Sequence, residues 1–313
     1  MLDNLMMSFE AVFPMFIIMA AGYIIKKIGM IDSKALRQVN KVLFNVAFPC
    51  TVFNSLYGAS FDLSADAKFI LYCWIAALAG WILSCPAAKK LEKDDRRRGA
   101  MVQAMNRTNY LVIGLPILQS VCGDTKYAFV TVTLSGLILI SNVASVVVLE
   151  IFRGGKPDAG HLAGTIIKNP IIIMTVIGIV TMLTEITVPA SIESAIHSVG
   201  TAATPMALIM IGASIDFNHM EDRIRAVMIG VTGKLIVLPL LVALGGMVMG
   251  FRGVEFVALL ILFGPSPTTT SYTMADQMGS DSDLARDCLV IASALVAFTM
   301  FIWIFLFRSL GMF

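Results

Sequence analysis

Charge is what this chain has least of. Only 14% of its 313 residues are Asp, Glu, Lys or Arg, against about a quarter in soluble domains. With 58% apolar residues and a mean hydropathy of +0.84, the composition excludes a water-soluble globule and points to an integral membrane protein. A net charge of +2 is near neutral and by itself says nothing about nucleic acid; in a membrane protein none is expected as a partner. The five cysteines (Cys50, Cys73, Cys85, Cys122, Cys288) form no C-x-x-C pair and sit mostly in apolar runs. That argues against a disulfide framework or a zinc site, and the thiols read as buried. Acidic residues are also sparse: Glu10, Glu150, Asp216, Glu255 and Asp276 fall near the ends of apolar runs. No Asp-Asp pair lies in the middle of a run, where a sodium–proton antiporter would be expected to carry one. No paired acid–base or metal constellation appears, so neither an enzyme nor a cofactor is expected. The first apolar run, 11–25, lacks a basic leader and a small-x-small cleavage site, and therefore reads as a span rather than a signal peptide.

What is present is a succession of apolar runs. A bilayer core about 30 Å thick takes about 20 helical residues, and ten such runs lie near 8–28, 37–57, 68–88, 100–120, 127–151, 168–184, 192–213, 225–249, 255–276 and 286–308. The gaps between them are too short for a soluble domain. Cations set the orientation. The loops after odd-numbered runs hold Lys26, Lys27, Lys34, Arg37 and Lys41, then Lys89, Lys90, Lys93, Arg96, Arg97 and Arg98, then Arg153, Lys156 and Lys168, then Arg223, Arg225 and Arg286. The opposite side holds only Lys68, Lys126, Arg252 and Arg308. Odd-numbered loops are therefore expected in the cytoplasm and both termini outside it. The run "KKLEKDDRRR" (89–98) reads as a topology-setting loop.

Prolines betray a duplication. Pro14, Pro49, Pro86 and Pro116 in the first half are answered by Pro170, Pro205, Pro239 and Pro267 in the second, at offsets of 156, 156, 153 and 151 residues. "PMFIIMAAG" (14–22) matches "PIIIMTVIG" (170–178), and "YGASF" (57–61) matches "IGASIDF" (211–217). The expected fold is thus all-α: ten transmembrane helices as two five-helix repeats, residues 1–152 and 168–313, joined by a cytoplasmic linker, 153–167. Five is odd, so the second repeat enters inverted. Inverted repeats are the architecture of many secondary transporters.

The fourth and ninth runs are the least helical. Gly114 and Pro116 interrupt one, and "FGPSPTTTSY" (263–272) interrupts the other. Proline removes an intrahelical N–H and crowds the carbonyl four residues back, and opened backbone in lipid costs several kcal/mol per group. Two breaks at matching places predict a shared midplane site made by crossing broken helices. A half-helix starting after such a break favours an anion. Thr268, Thr269, Thr270 and Ser271 add hydroxyls there, and Asn106 and Asn109 add amides. Two cations fall inside runs. Arg107 is either a snorkelling residue at its helix end or a clamp for a carboxylate, and Lys234 lies deeper, serving substrate or charge balance. Asn45, Asn54, Asn142 and His197 read as interhelical hydrogen-bonding partners.

These motifs resemble the auxin efflux carrier family. "NYLVIGLP" (109–116) is similar to its fourth span and "SPTTTSYTMADQMGSD" (266–281) to its ninth, while "NVAFPCTVFNSL" (45–56) and "KLIVLP" (234–239) fit bacterial members. The resemblance covers the whole chain. It implies crossing broken helices, with Asn109, Pro116 and Pro267 at the substrate crossover, and transport of organic anions, malate or malonate in bacterial members and auxin in plant ones. The short 153–167 linker lacks the long central loop of many plant members and so favours a bacterial-type carrier. The expected function is a plasma-membrane secondary transporter of small organic anions, mono- or dicarboxylates, working by alternating access in the lipid bilayer. The coupling ion, H+ or Na+, is left open, as is a homodimer. The rivals are a sodium-coupled bile-acid-type symporter and a non-transporting membrane ligand sensor.

Overall fold

A computed structural model describes residues 2–57, 67–110, 128–153, 164, 167–184, 186–214 and 221–313. All regular structure among the described residues is helical. Helix α1 spans Leu2–Lys27. Helix α2, Ser33–Val42, runs through a π turn, Leu43–Ala47, into α3, Phe48–Leu56. Then come α4 (Ala67–Leu91), α5 (Asp95–Asn106), α6 (Ala128–Ile151), α7 (Pro170–Thr184) and α8 (Ala190–Ser214). Helix α9, Ile224–Thr232, passes through a second π turn, Gly233–Val237, into α10, Leu238–Val248. The chain closes with α11 (Gly253–Phe263), α12 (Thr270–Gln277) and α13 (Ser282–Ser309). Among the described residues, four stretches are long and apolar enough to cross a membrane: Ala67–Leu91, Ala190–Ser214, Ile224–Val248 and Ser282–Ser309.

Local chemistry explains where these helices start and bend. Asp32, Asp94 and Asp281 accept N–H bonds from Ala35, Arg96 and Leu284, capping α2, α5 and α13. Lys26 and Lys27 end α1, and Lys89 and Lys90 end α4, where cations meet the negative end of the helix dipole. The runs expected as plain spans at 37–57 and 225–249 are each interrupted by a π turn. The cause is Pro49 in one and Pro239 in the other. Each ring would crowd the carbonyl four residues back, that of Asn45 or Leu235, which is the middle residue of its π turn. Widening the turn moves that carbonyl aside. The Leu235 oxygen, left without its helical donor, accepts the Trp303 indole N–H at 2.9 Å.

Buried side chains collect into two cores. One is built mainly from α4, α5 and α9 to α13, with Phe69, Met101, Val227, Phe256, Leu289 and Met300 among its members. The other gathers Leu43, Phe48, Leu56, Ile171, Ala203 and Ala207 from the α2–α3 run, α7 and α8. Some helices approach through glycine. A Cβ on Gly22 of α1 would lie 2.1 Å from the Ile209 carbonyl oxygen of α8, and one on Gly212 would lie 1.9 Å from that of Met19. Likewise Gly178 of α7 packs on Leu56 of α3, 3.0 Å from the position of its absent Cβ. Residues 22 and 178, and residues 56 and 212, are each 156 apart. Asn54 donates to the Ile196 carbonyl of α8, as expected of an interhelical partner, whereas Asn45 bonds its own helix at Lys41.

Gly22→Ala and Gly212→Ala should each lower the melting midpoint in detergent, by the equivalent of about 1–3 kcal/mol for an overpacked contact. Gly164→Ala, facing open space, should leave it unchanged in the same fluorescence melt.

Candidate functional site

Two chain breaks meet between the cores. Helix α5 stops at Asn106, and Arg107 is its extended C-cap, with φ −67° and ψ 142°. Helix α11 stops at Phe263, and residues 264–269 run without helical structure to α12. Pro265 and Pro267 account for the second break, since neither has an N–H to give. The first break comes earlier than its proline implies, because the chain leaves the helix at Arg107. The expected placement of Arg107 inside an unbroken helical run is therefore corrected: α5 ends at Asn106, residues 107–109 are not helical, and helical structure resumes at Tyr110. Gly114 and Pro116 themselves lie outside the described residues. The two opened segments support each other, with the Asn109 N–H donating to the Ser266 carbonyl at 2.9 Å. Ser293 of α13 holds Ser266 from behind through a hydroxyl pair at 3.1 Å.

Arg107 does not snorkel. Its residue is 5% exposed, and its guanidinium reaches into the protein. Nη1 donates to Ser145 Oγ at 2.7 Å, and Nη2 to Thr270 Oγ1 at 2.7 Å and Asn142 Oδ1 at 3.2 Å. The Met274 thioether lies 3.1 Å from Nη1. All of these are neutral. Among the described residues no carboxylate pairs with Arg107, and its Nε is buried without a partner. A guanidinium in this state keeps its charge and has one N–H left to give.

Beside it lies a cavity of about 110 Å³. Arg107, Thr108, Asn109 and Tyr110 line it from the first break, and Thr268, Thr269 and Thr270 from the second. Phe48, Thr51 and Val52 of the α2–α3 run, Thr204 of α8, and Ile138, Ser141 and Asn142 of α6 complete the described wall. The lining therefore combines an apolar side, Phe48, Val52 and Ile138, with a guanidinium, hydroxyls and amides, set at the seam of the two cores and with no carboxylate among the described residues. A larger cavity of about 560 Å³ lies at Asn45, Glu150, Arg153, Lys168 and Gln277. It mixes both signs of charge and touches neither break, so the smaller one has the chemistry of a selective site.

Five of the residues singled out in the sequence thus come together: Arg107, Asn109, Thr268, Thr269 and Thr270. Pro267 and Ser271 are buried but off the lining, and the Ser271 N–H closes a turn onto the Thr268 carbonyl at 3.0 Å. Lys234 also sits behind the wall. It is 0% exposed and bonded to Thr108 Oγ1 and, at 3.0 Å, to the Phe263 carbonyl. Sequence reasoning missed Thr51, Thr108, Ser141, Ser145 and Thr204. Ser141 and Ser145 did carry a signal, four residues apart on one helix face beside Asn142.

The family described as membrane transport protein matches the chain twice, over residues 7–160 and 159–304. An "Uncharacterized transporter" of Methanothermobacter thermautotrophicus is 22% identical over 300 residues, covering 95% of this chain and 97% of that protein. "Uncharacterized transporter YfdV" of Escherichia coli K12 is 20% identical over 265 residues, covering 82% of this chain and 84% of that one.

Thr270→Val removes a 2.7 Å acceptor from a buried cation, and bonds to charged groups contribute about 1.5–3 kcal/mol. The melting midpoint of ligand-free protein should fall accordingly. Thr299→Val, which breaks only a bond to its own helix at Val296, should change it far less.

Proposed function

The chain belongs to the membrane transport protein family, the auxin efflux carrier-like group, and from that premise we propose that it carries small organic anions, mono- or dicarboxylates such as malate or malonate, by alternating access across the plasma membrane. It is a multi-pass membrane protein of a transporter family. The observation that carries the anion reading is Arg107. A cation buried at a helix centre costs about 2.5–3.5 kcal/mol on insertion scales, yet this one is surrounded by neutral groups and lines a cavity. A carboxylate at 4 Å gains on the order of 4 kcal/mol at an effective dielectric of 20, against about 1 in bulk water. The site is thus set to draw an anion out of solvent. In this reading Arg107 Nε takes a carboxylate oxygen, and Asn109 and the Thr268, Thr269 and Thr270 hydroxyls complete its bonds. Gly114, Pro116 and Pro267 keep the backbone open. A volume near 110 Å³ suits a small molecule, well below the 300 Å³ or more of drug-sized pockets.

Two further features support the inverted ten-span architecture. The family matches each half separately. The α1–α8 crossing at Gly22 and Gly212 is answered by the α7–α3 crossing at Gly178 and Leu56, with the same 156-residue spacing. A pseudo-twofold relation of this kind gives two exchangeable arrangements, which is what alternating access needs. The cavity lies at the seam of two cores, so sliding one against the other would expose it to alternate sides.

The test is counterflow of radiolabelled malate and malonate in proteoliposomes. Wild type should exchange one or both, and a panel of carboxylates giving neither flux nor binding would overturn the reading. Asn109→Ala should weaken binding about tenfold, the equivalent of 1.4 kcal/mol, with folded protein retained. Arg107→Lys, which loses the planar fork, should weaken it more. Pro267→Ala should slow exchange by restoring helix.

A further inference from the structure

The molecule buries a second cation that the anion site does not use. Lys234 lies in the π turn between α9 and α10, wholly excluded from solvent. Gly233 beside it packs against Met105, 2.8 Å from the position of its absent Cβ, so the turn is pressed onto the end of α5. The ammonium donates to Thr108 Oγ1, two residues past the end of α5, and to the carbonyl of Phe263, the last residue of α11. The end of α11 thus meets the nitrogen directly, and the end of α5 meets it through Thr108, whose hydroxyl in turn donates to the Asn106 carbonyl at 3.4 Å. A helix C-terminus brings the equivalent of roughly half a negative charge, which a cation offsets. Among the described residues no carboxylate pairs with Lys234. A hydroxyl oxygen and a helix-end carbonyl are also the ligands that a hard cation takes.

We propose that Lys234 is the carrier's resident cation: a tethered ammonium fills the place between the two broken segments where two helix C-termini meet, and it holds them in binding geometry without a co-bound sodium ion. The role rests on the anion-carrier reading above. Lys234 is a positioning residue, acting on Arg107 through Thr108 and on the 264–269 segment through Phe263. Its charge is spent on the helix ends, so the anion is left to Arg107 and the first turn of α12. A carrier built this way gains no drive from a sodium gradient.

The test uses the purified full chain, with sodium replaced by choline. The wild-type melting midpoint and carboxylate counterflow should be the same in either salt. Lys234→Ser vacates the place, so its midpoint should fall in choline and recover with sodium, and its flux should drop about tenfold or more in choline, the equivalent of 1.4 kcal/mol. Lys234→Arg should stay indifferent to sodium. A wild-type midpoint or flux raised by sodium overturns the proposal, as does a Lys234→Ser protein that matches wild type or ignores sodium. If Lys234→Ser does not fold, the wild-type comparison decides alone. Absence of all carboxylate flux in wild type would remove the anion-carrier reading, while the midpoints would still report on Lys234.

Discussion

Backbone that leaves a helix inside a bilayer has no water to bond with, so protein must hold every opened peptide group. That constraint organises this molecule. The Asn109 N–H and the Ser266 carbonyl satisfy each other across the two breaks, Lys234 takes the Phe263 carbonyl, and Trp303 takes the one that Pro239 frees at Leu235. None of these groups finds its partner within its own segment. The crossover is stable only because α5, the α9–α10 run, α11 and α13 all arrive at the same place. A binding site then follows with little added, since polar groups gathered to satisfy backbone also face the cavity.

The two buried cations beside the breaks show how similar side chains take different work from their surroundings. Arg107 lies on the first broken segment itself, and Lys234 reaches its neighbour Thr108. Arg107 spreads its bonds over three side-chain oxygens and keeps Nε without a partner. Lys234 points at a helix end and a hydroxyl with no opening to the cavity. On the proposed anion-carrier reading, the planar fork suits a site that accepts and releases a carboxylate, and the compact ammonium suits a fixed place.

Much of this was legible in the sequence because proline and glycine report on backbone, whatever the tertiary context. Pro265 and Pro267 marked the second break to within a residue or two, and the proline ladder pointed to paired helices before any contact was known. Charge scarcity made Arg107 and Lys234 conspicuous. Packing was not legible. Nothing local distinguishes Thr51 or Thr204, which line the cavity, from Thr201, which bonds its own helix at His197. The end of α5 at Asn106 was also hidden: the nearest breakers in sequence, Gly114 and Pro116, lie further on, and the opened chain is held by the Ser266 carbonyl, which accepts from Asn109 across some 160 residues of sequence. Nor did the loop cations show their second use. Arg96 and Arg97, read as topology markers, also bind Gly279 and Asp281 and so fasten the start of α5 to the turn before α13.

The glycine crossing of α1 and α8 has a consequence for synthesis. The backbone of α1 is in contact at Gly22 with a helix that does not exist until Gly212 has been made. At about 5–20 residues per second, the first helix therefore waits on the order of 10–40 s for its mate. During that time its bare glycine face is open to lipid or to a chaperone. The first helix is thus stitched to one made late, so the α1–α8 contact cannot close until α8 has been synthesised.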